Sequence, residues 1–367
     1  MKVLRLYIKN CGVFKSNLID FTHQGKFQDI ICLAGVNGSG KTTVMELILN
    51  IINFITPDLS MSNILFDRLK PNILTRVDFV QLDLLLDEKI LSLVLGDQSQ
   101  IIKDNTISQA FIIENELKEM ILNFENRIVK SPKDKEDFTV IFEQIESVRD
   151  SKQIVDRENF KIGLDDFPTL NNINEFFSKK STVHDNLPFV YFLNAHDREI
   201  QDIRYTSIPK YEKTYEIVQR YNPKKDDLKK ILIYYDYAYE DKFKEFTGWV
   251  NKHVLIGKVI DKVDRPSFQV LIKTNTGNIH TLDLLSTGEE SLLIIASQLY
   301  FRASNNAIFL IDEIDESLHP EFQEKVMRLL KQLQIDKGCQ IIVSSHSEII
   351  WKSFEDKGLI DLTDVVL

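Results

Sequence analysis

The chain opens on alternation of polar and apolar residues. Positions 2–9 and 17–22 keep a period of two, the pattern of half-buried strands, and residues 30–34 (IICLA) form a compact apolar run of strand length. After the glycine-rich stretch GVNGSGKT, apolar residues recur at helical spacing (Val44, Leu47, Ile48, Ile51, Ile52, Ile55) until Pro57 ends the series. Residues 77–86 and 89–95, joined by Asp87 and Glu88, predict a β-hairpin. Between about 106 and 250 the period changes. Leu117, Ile121, Phe124 and Ile128 predict one amphipathic helix, and Phe138, Ile141, Phe142, Ile145 and Val148 a second. A third is predicted over 228–246, with Leu228, Ile231, Leu232, Tyr235, Tyr239 and Phe243 on one face. Strands return at 253–260, 268–274, 307–311 and 340–343, the last two each followed by a helical stretch. Strand–helix alternation at both ends, with helices between, implies one parallel sheet assembled from both termini. The expected class is therefore α/β: a head with a mixed sheet and a β-hairpin subdomain, formed by 1–100 and 251–367, interrupted by a mainly helical insert at 101–250.

Composition narrows the setting. With 367 residues, 43% hydrophobic and 27% charged, the chain has the profile of a globular protein, and no apolar run approaches the ~20 residues of a membrane helix. The start, MKVLRLYIKN, carries Lys2, Arg5 and Lys9 and lacks the apolar centre of a signal peptide, so a cytoplasmic protein without membrane contact is expected. Cys11, Cys32 and Cys339 form no C-x-x-C pair and are read as small buried apolar residues. The net charge of −10 argues against a surface devoted to nucleic acid. One local exception is 209–230, with seven Lys/Arg against four Asp/Glu, inside a stretch that holds eight of the eleven tyrosines. Interleaved Tyr and Lys can stack and neutralise nucleic acid. Their helical spacing favours packing instead.

The chemistry sits in four short segments. Gly35 to Thr42 satisfies G-x-x-x-x-G-K-[ST] between a predicted strand and a predicted helix. Phosphate oxygens need converging N–H donors, which Gly35, Asn37, Gly38, Ser39, Gly40 and Thr43 can present because small residues let the backbone curl closely. Lys41 then neutralises the β and γ phosphates and Thr42 holds Mg²⁺. AIFLIDEID ends an apolar strand on Asp312 and Glu313, where a carboxylate faces the ligand crevice of a parallel sheet; Asp312 can bind Mg²⁺ through water and Glu313 can polarise an attacking water. LSTGEES, Leu285 to Ser291, precedes an apolar helix, and by itself its Ser-x-Gly-Glu start is also an ordinary helix cap. QIIVSSH ends a strand on His346, equally readable as a satisfied histidine at a polar strand end.

In this order the four segments resemble the Walker A loop, signature motif, Walker B strand with D-loop, and His switch of ABC-type ATPases. The opening LYIKNCGVFKSNLIDF, the SGE-type signature and the SLHP after the acidic pair are closer to the SMC/RecF/OLD branch than to transporter subunits. FVYFLNAHDRE at 189–199 is similar to a strand-plus-arginine element of OLD-type ATPases. The resemblance implies a P-loop ABC-type ATPase head using ATP and Mg²⁺, with Lys41, Thr42 and Asp312 on phosphate and metal, Glu313 as general base and His346 sensing the γ-phosphate. It implies ATP sandwiched in a homodimer, with Ser286, Gly288 and Glu289 contributed to the partner's nucleotide. His319 departs from the D-loop aspartate of transporters, and no clear Q-loop glutamine is visible; Gln81 sits mid-strand, and the strand ending near Asn194 and His196 is the expected location. The residues after His346 are too few for the Toprim nuclease of OLD proteins, so the effector is expected on another polypeptide. Within the branch the chain looks most like standalone antiphage-defence ATPases, PtuA-like components of Septu or retron systems, which regulate a separate nuclease or toxin. A RecF-like DNA-repair ATPase is the alternative, and a transporter subunit ranks last because of the long insert.

Overall fold

The computed structural model describes residues 1–55, 73, 77–96, 109–113, 168–179, 187–211, 215–354 and 357–363. The predicted helices at 117–128 and 138–148 lie outside them. The chain forms two compact units, one from Met1–Gln28, Gly35–Pro188 and Ile360–Leu367, the other from Asp29–Ala34 and Phe189–Leu359.

In the first unit β1 (Lys2–Cys11) pairs antiparallel with β2 (Phe14–Asp20), and a small ribbon of β3 (Thr22–His23) and β4 (Lys26–Phe27) follows. The polar–apolar alternation buries Leu6 and Ile8 on β1 and Ile19 on β2. After β5 (Ile30–Ala34), which belongs to the other unit, helix α1 (Lys41–Ile52) is buried around most of its circumference. The hairpin β6 (Phe79–Leu86) and β7 (Lys89–Leu95) then joins β1, and β8 (Gln109–Ile113) adds to β7, giving the order β2-β1-β6-β7-β8. Its two-residue turn places both Asp87 (φ 51°) and Glu88 (φ 63°) in the left-handed region, the geometry that matches the twist of the flanking strands. Gln81 donates to Asp83 at 3.0 Å, and Asp83 also accepts from Ser92 and Arg5, so Gln81 is part of a buried network within this sheet. Helix α2 (Pro168–Lys179) is tied to the hairpin turn through Thr169, whose N–H and hydroxyl both donate to Asp87.

The second unit is built on five parallel strands. β9 (Phe189–Leu193) and β10 (Val218–Arg220) lie in the span assigned to the helical insert, yet both enter this sheet. Their neighbours are helix α3 (Leu228–Ala238), helix α4 (Glu240–His253) and the meander β11 (Lys258–Asp264), β12 (Gln269–Thr274) and β13 (Ile279–Thr281). Helix α5 (Thr287–Arg302), β14 (Ala307–Ile311), helix α6 (Pro320–Lys337), β15 (Gln340–Ser345) and helix α7 (Glu348–Lys352) complete it. The order β10-β9-β14-β15-β5 places an N-terminal strand against a C-terminal one, as expected for a sheet assembled from both ends. Every residue of β14 is fully buried, as strands covered on both faces must be.

The predicted helix 228–246 is two helices. Tyr239 (φ −148°, ψ 64°) interrupts it, and α4 restarts with Glu240 and Asp241, carboxylates that favour a helix N-terminus. The break lets Ile231, Leu232 and Tyr235 on α3 and Phe243, Phe246 and Val250 on α4 all enter the core, while Tyr239 stays half exposed. Tyr235 stacks on Phe301 at 4.7 Å, and Phe246 packs on Phe301 at 4.5 Å. The tyrosine-rich stretch thus serves mainly as packing: Tyr211, Tyr221 and Tyr235 are buried, and Lys229 is buried against Asp283. Predicted strand 253–260 begins later, at Lys258, because α4 extends to His253. The three cysteines are buried and form no disulfide with one another, and among the described residues no helix is long and apolar enough to cross a membrane.

Candidate functional site

In the first unit the glycine-rich loop runs from Gly35 into α1. Gly35 (φ 142°), Gly38 (φ 82°) and Gly40 (φ 92°) all occupy backbone regions that other residues avoid. Gly40 has a second constraint, since a Cβ there would lie 2.5 Å from Phe14 Cζ. Val36, Asn37 and Gly38 form an exposed tip, whereas Ser39 and Lys41 are buried. Lys41 Nζ donates to the carbonyls of Gly35 at 2.8 Å and Val36 at 3.0 Å, so the ammonium is curled inside its own loop. Ser39 Oγ is buried and has no hydrogen-bond partner among the described residues, a cost that persists where a ligand completes the set. Thr42 and Thr43 begin the helix half buried. A buried ammonium, an unsatisfied hydroxyl and small residues ahead of a helix N-terminus fit an anionic phosphate group.

In the second unit the acidic pair lies beyond the carboxyl end of β14. Parallel register aligns Ile311 with Leu193 and Val343, so Asn194 and Asp312 follow their strands beside Ser344 and Ser345, the last residues of β15, with His346 just beyond. The hydroxyl of Ser344 ties them together: it donates to Asp312 Oδ1 at 2.5 Å and accepts from the N–H of Glu313 at 2.7 Å. His346 Nε2 lies 3.8 Å from Glu313 Oε1, and its N–H donates to Asp315 at 3.2 Å. The structure thus brings Asp312, Glu313 and His346 into one cluster. Asn194 Nδ2 donates to Asp197 at 3.2 Å, and exposed His196 meets Glu316 at 3.2 Å. Oxygen donors of this kind suit a hard cation such as Mg²⁺, which keeps waters and phosphate oxygens in its shell. Among the described residues no group of three or more His, Cys, Asp or Glu could hold a metal alone.

Ser344 and Arg198 were not among the predicted site residues. Arg198 Nη2 donates to the Glu313 carbonyl at 2.7 Å. Burial pulls the Arg198 pKa down, opposed by Glu316, Asp312, Glu313 and Asp315. Ser344 could have been suspected from the polar SSHS that ends an otherwise apolar strand; its partner could not.

The signature segment caps α5. Ser286 and Glu289 form a reciprocal capping box: the Glu289 N–H donates to Ser286 Oγ at 3.4 Å, and the Ser286 N–H donates to Glu289 Oε2 at 3.0 Å, with the Ser286 hydroxyl also donating to Oε2 at 2.9 Å. Lys258 Nζ pairs with the same carboxylate at 2.9 Å. Gly288 is required by a close approach: a Cβ would lie 2.8 Å from the Ser317 carbonyl. Burial raises the Glu289 pKa, but Lys258 and the two Ser286 donors outweigh it and hold the carboxyl below its ordinary range. A depressed carboxylate pKa adds stability that is present at neutral pH and lost as the pH falls through it. Acidification below the ordinary glutamate range is therefore expected to fray the first turn of α5. Amide exchange at Glu289 and Glu290 would report this, and unaltered protection across that range would refute it.

A complete phosphate-binding loop and an acidic pair at the end of a parallel strand are the marks of a P-loop ATPase. The family described as "AAA domain, putative AbiEii toxin, Type IV TA system" matches residues 30–350, and the chain belongs to it. The Septu protein PtuA of Bacillus thuringiensis is 31% identical over 98 residues, covering 23% of this chain and 24% of that protein, so the chain spans about a quarter of that relative's length. Among solved structures, the SMC head domain from Thermotoga maritima aligns with a TM-score of 0.40 at 14% identity, covering 96% of this chain and 92% of that one. The Pyrococcus furiosus Smc head bound to the C-terminal domain of ScpA aligns at 0.39 and 14%, covering 96% and 91%.

Proposed function

We propose that the chain hydrolyses ATP as a homodimer and that the cycle regulates a separate effector, a nuclease or toxin, in bacterial antiphage defence. The carrying observation is the Asp312–Ser344–Glu313 bridge at the end of β14, in a chain whose Gly35–Thr43 loop already meets the requirements of a phosphate site. In this reading Lys41 and the loop N–H groups neutralise the phosphates, and Thr42 and Asp312 hold Mg²⁺, which would stabilise charge on the transferring phosphoryl group. Glu313 orients the attacking water and takes its proton. His346, on the neighbouring strand end, senses the γ-phosphate. Ser286, Gly288 and Glu289 are contributed across the dimer, where a hydroxyl and N–H groups at a helix start suit an anion. The head is assigned to 1–100 and 251–367 with a mainly helical insert at 101–250; the pairing of β9 and β10 in the parallel sheet favours extending the head over 189–220. Family membership and the PtuA similarity support the defence setting.

The purified chain, alone and with the product of the adjacent open reading frame, is expected to release phosphate from ATP with Mg²⁺ and to stop when EDTA is added. A stoichiometric complex with that product is expected on size exclusion. Turnover that survives EDTA would refute the metal assignment. Failure to associate with any operon partner would count against the effector reading while leaving the ATPase intact.

A further inference from the structure

Arg198 follows β9 by a single short turn and is only 3% exposed. Its Nε donates to Ala195 O at 3.3 Å, its Nη2 donates to Glu313 O at 2.7 Å and lies 3.6 Å from Glu316 Oε2, and its buried Nη1 has no hydrogen-bond partner among the described residues. Burying a guanidinium this incompletely satisfied is costly, so a purely structural role would favour an apolar residue. The short bond goes to the backbone of the residue whose side chain is assigned the attacking water.

Glu313 itself has φ 44°, a left-handed conformation that non-glycine residues hold only where their surroundings enforce it. Two contacts enforce it from opposite sides. Ser344 Oγ accepts from its N–H, and Arg198 donates to its carbonyl. Together they fix the peptide planes flanking the Cα, and with them the direction in which the carboxylate leaves the chain, toward His346.

We propose that Arg198 is a positioning residue that aims the Glu313 carboxylate by clamping the Glu313 carbonyl. The inference rests on the ATPase reading above and adds to it a residue that acts on turnover through Glu313.

The test compares Arg198→Lys and Arg198→Ala in the full chain, each in wild-type and Glu313→Gln backgrounds, with steady-state and single-turnover phosphate release. Misaiming a catalytic group by about 1 Å costs on the order of 100-fold, so Arg198→Ala is expected to lower kcat by roughly that factor. KM for ATP should stay within about threefold, because uniform nucleotide binding is untouched. Arg198→Lys, with one donor able to reach the carbonyl, should recover part of the loss. In the Glu313→Gln background the Lys variant should change the residual rate by less than about twofold, since two residues acting through one group are not additive. Equal losses in both backgrounds, or wild-type kcat in a folded Arg198→Ala protein, would overturn the proposal. If Arg198→Ala does not fold, the Lys variant in the two backgrounds decides it. Wild-type turnover by Glu313→Gln alone would instead remove the role assigned to Glu313, an outcome distinguishable from failure of the clamp.

Discussion

Replacing Glu313 with Gln is expected to reduce ATP turnover by roughly 10²- to 10⁴-fold, or about 2.7–5.4 kcal/mol of barrier, while leaving nucleotide binding in place. The amide is isosteric with the carboxylate, so the backbone contacts of residue 313 to Ser344 and Arg198 survive. What disappears is the ability to accept a proton from water. Because binding energy from the Gly35–Thr43 loop is retained, the variant should accumulate in the ATP-bound state, and if ATP closes a dimer it should be trapped there. Light scattering after gel filtration with Mg²⁺ and ATP should then give twice the monomer mass, with a monomer when ATP is omitted. Unchanged phosphate release would sink the assignment of Glu313, whereas lost turnover without dimerisation would sink only the sandwich.

How much of this was legible beforehand follows from the range over which each signal acts. The phosphate loop was readable because its demands are local: converging N–H groups, positive φ and a lysine all fall within a few consecutive residues. β14 was readable to the residue because a strand buried on both faces must be a continuous apolar run. The clamp around Glu313 was not. Its two arms lie 31 residues later, at Ser344, which accepts, and 115 residues earlier, at Arg198, which donates; the local pattern marks SSHS and the arginine segment but not that either meets Glu313. Tyr239 illustrates a different failure. The apolar spacing continues across it with little change of phase, so only the exposure of its side chain in the folded chain reveals the break. β10 is obscured by its helix-rich surroundings, whereas FVYFL, as apolar as the strand it pairs with, is readable as a strand although it falls within the span assigned to the insert.

Two variants that are each inactive are expected to restore activity when mixed, if the signature segment serves the partner's nucleotide. Lys41→Ala removes the buried ammonium of the phosphate loop. Ser286→Asp can still accept from the Glu289 N–H as an N-cap, at the cost of the hydroxyl's bond to the Glu289 carboxylate, and places a negative charge where a γ-phosphate would approach; helix content by circular dichroism checks that α5 persists. Each homodimer then has two damaged sites. A mixed dimer has one site carrying both lesions and one carrying neither, because in an isologous pair each site takes its loop from one chain and its signature from the other. With random pairing half of the dimers are mixed and half of their sites intact, so an equimolar mixture should recover about a quarter of wild-type turnover per chain. Phosphate release measured after co-refolding or subunit exchange checks this. An arrangement in which each chain completes its own site recovers nothing, so a null result from a mixture shown to exchange subunits would remove the trans role of Ser286 while leaving the roles of Lys41 and Glu313 untouched.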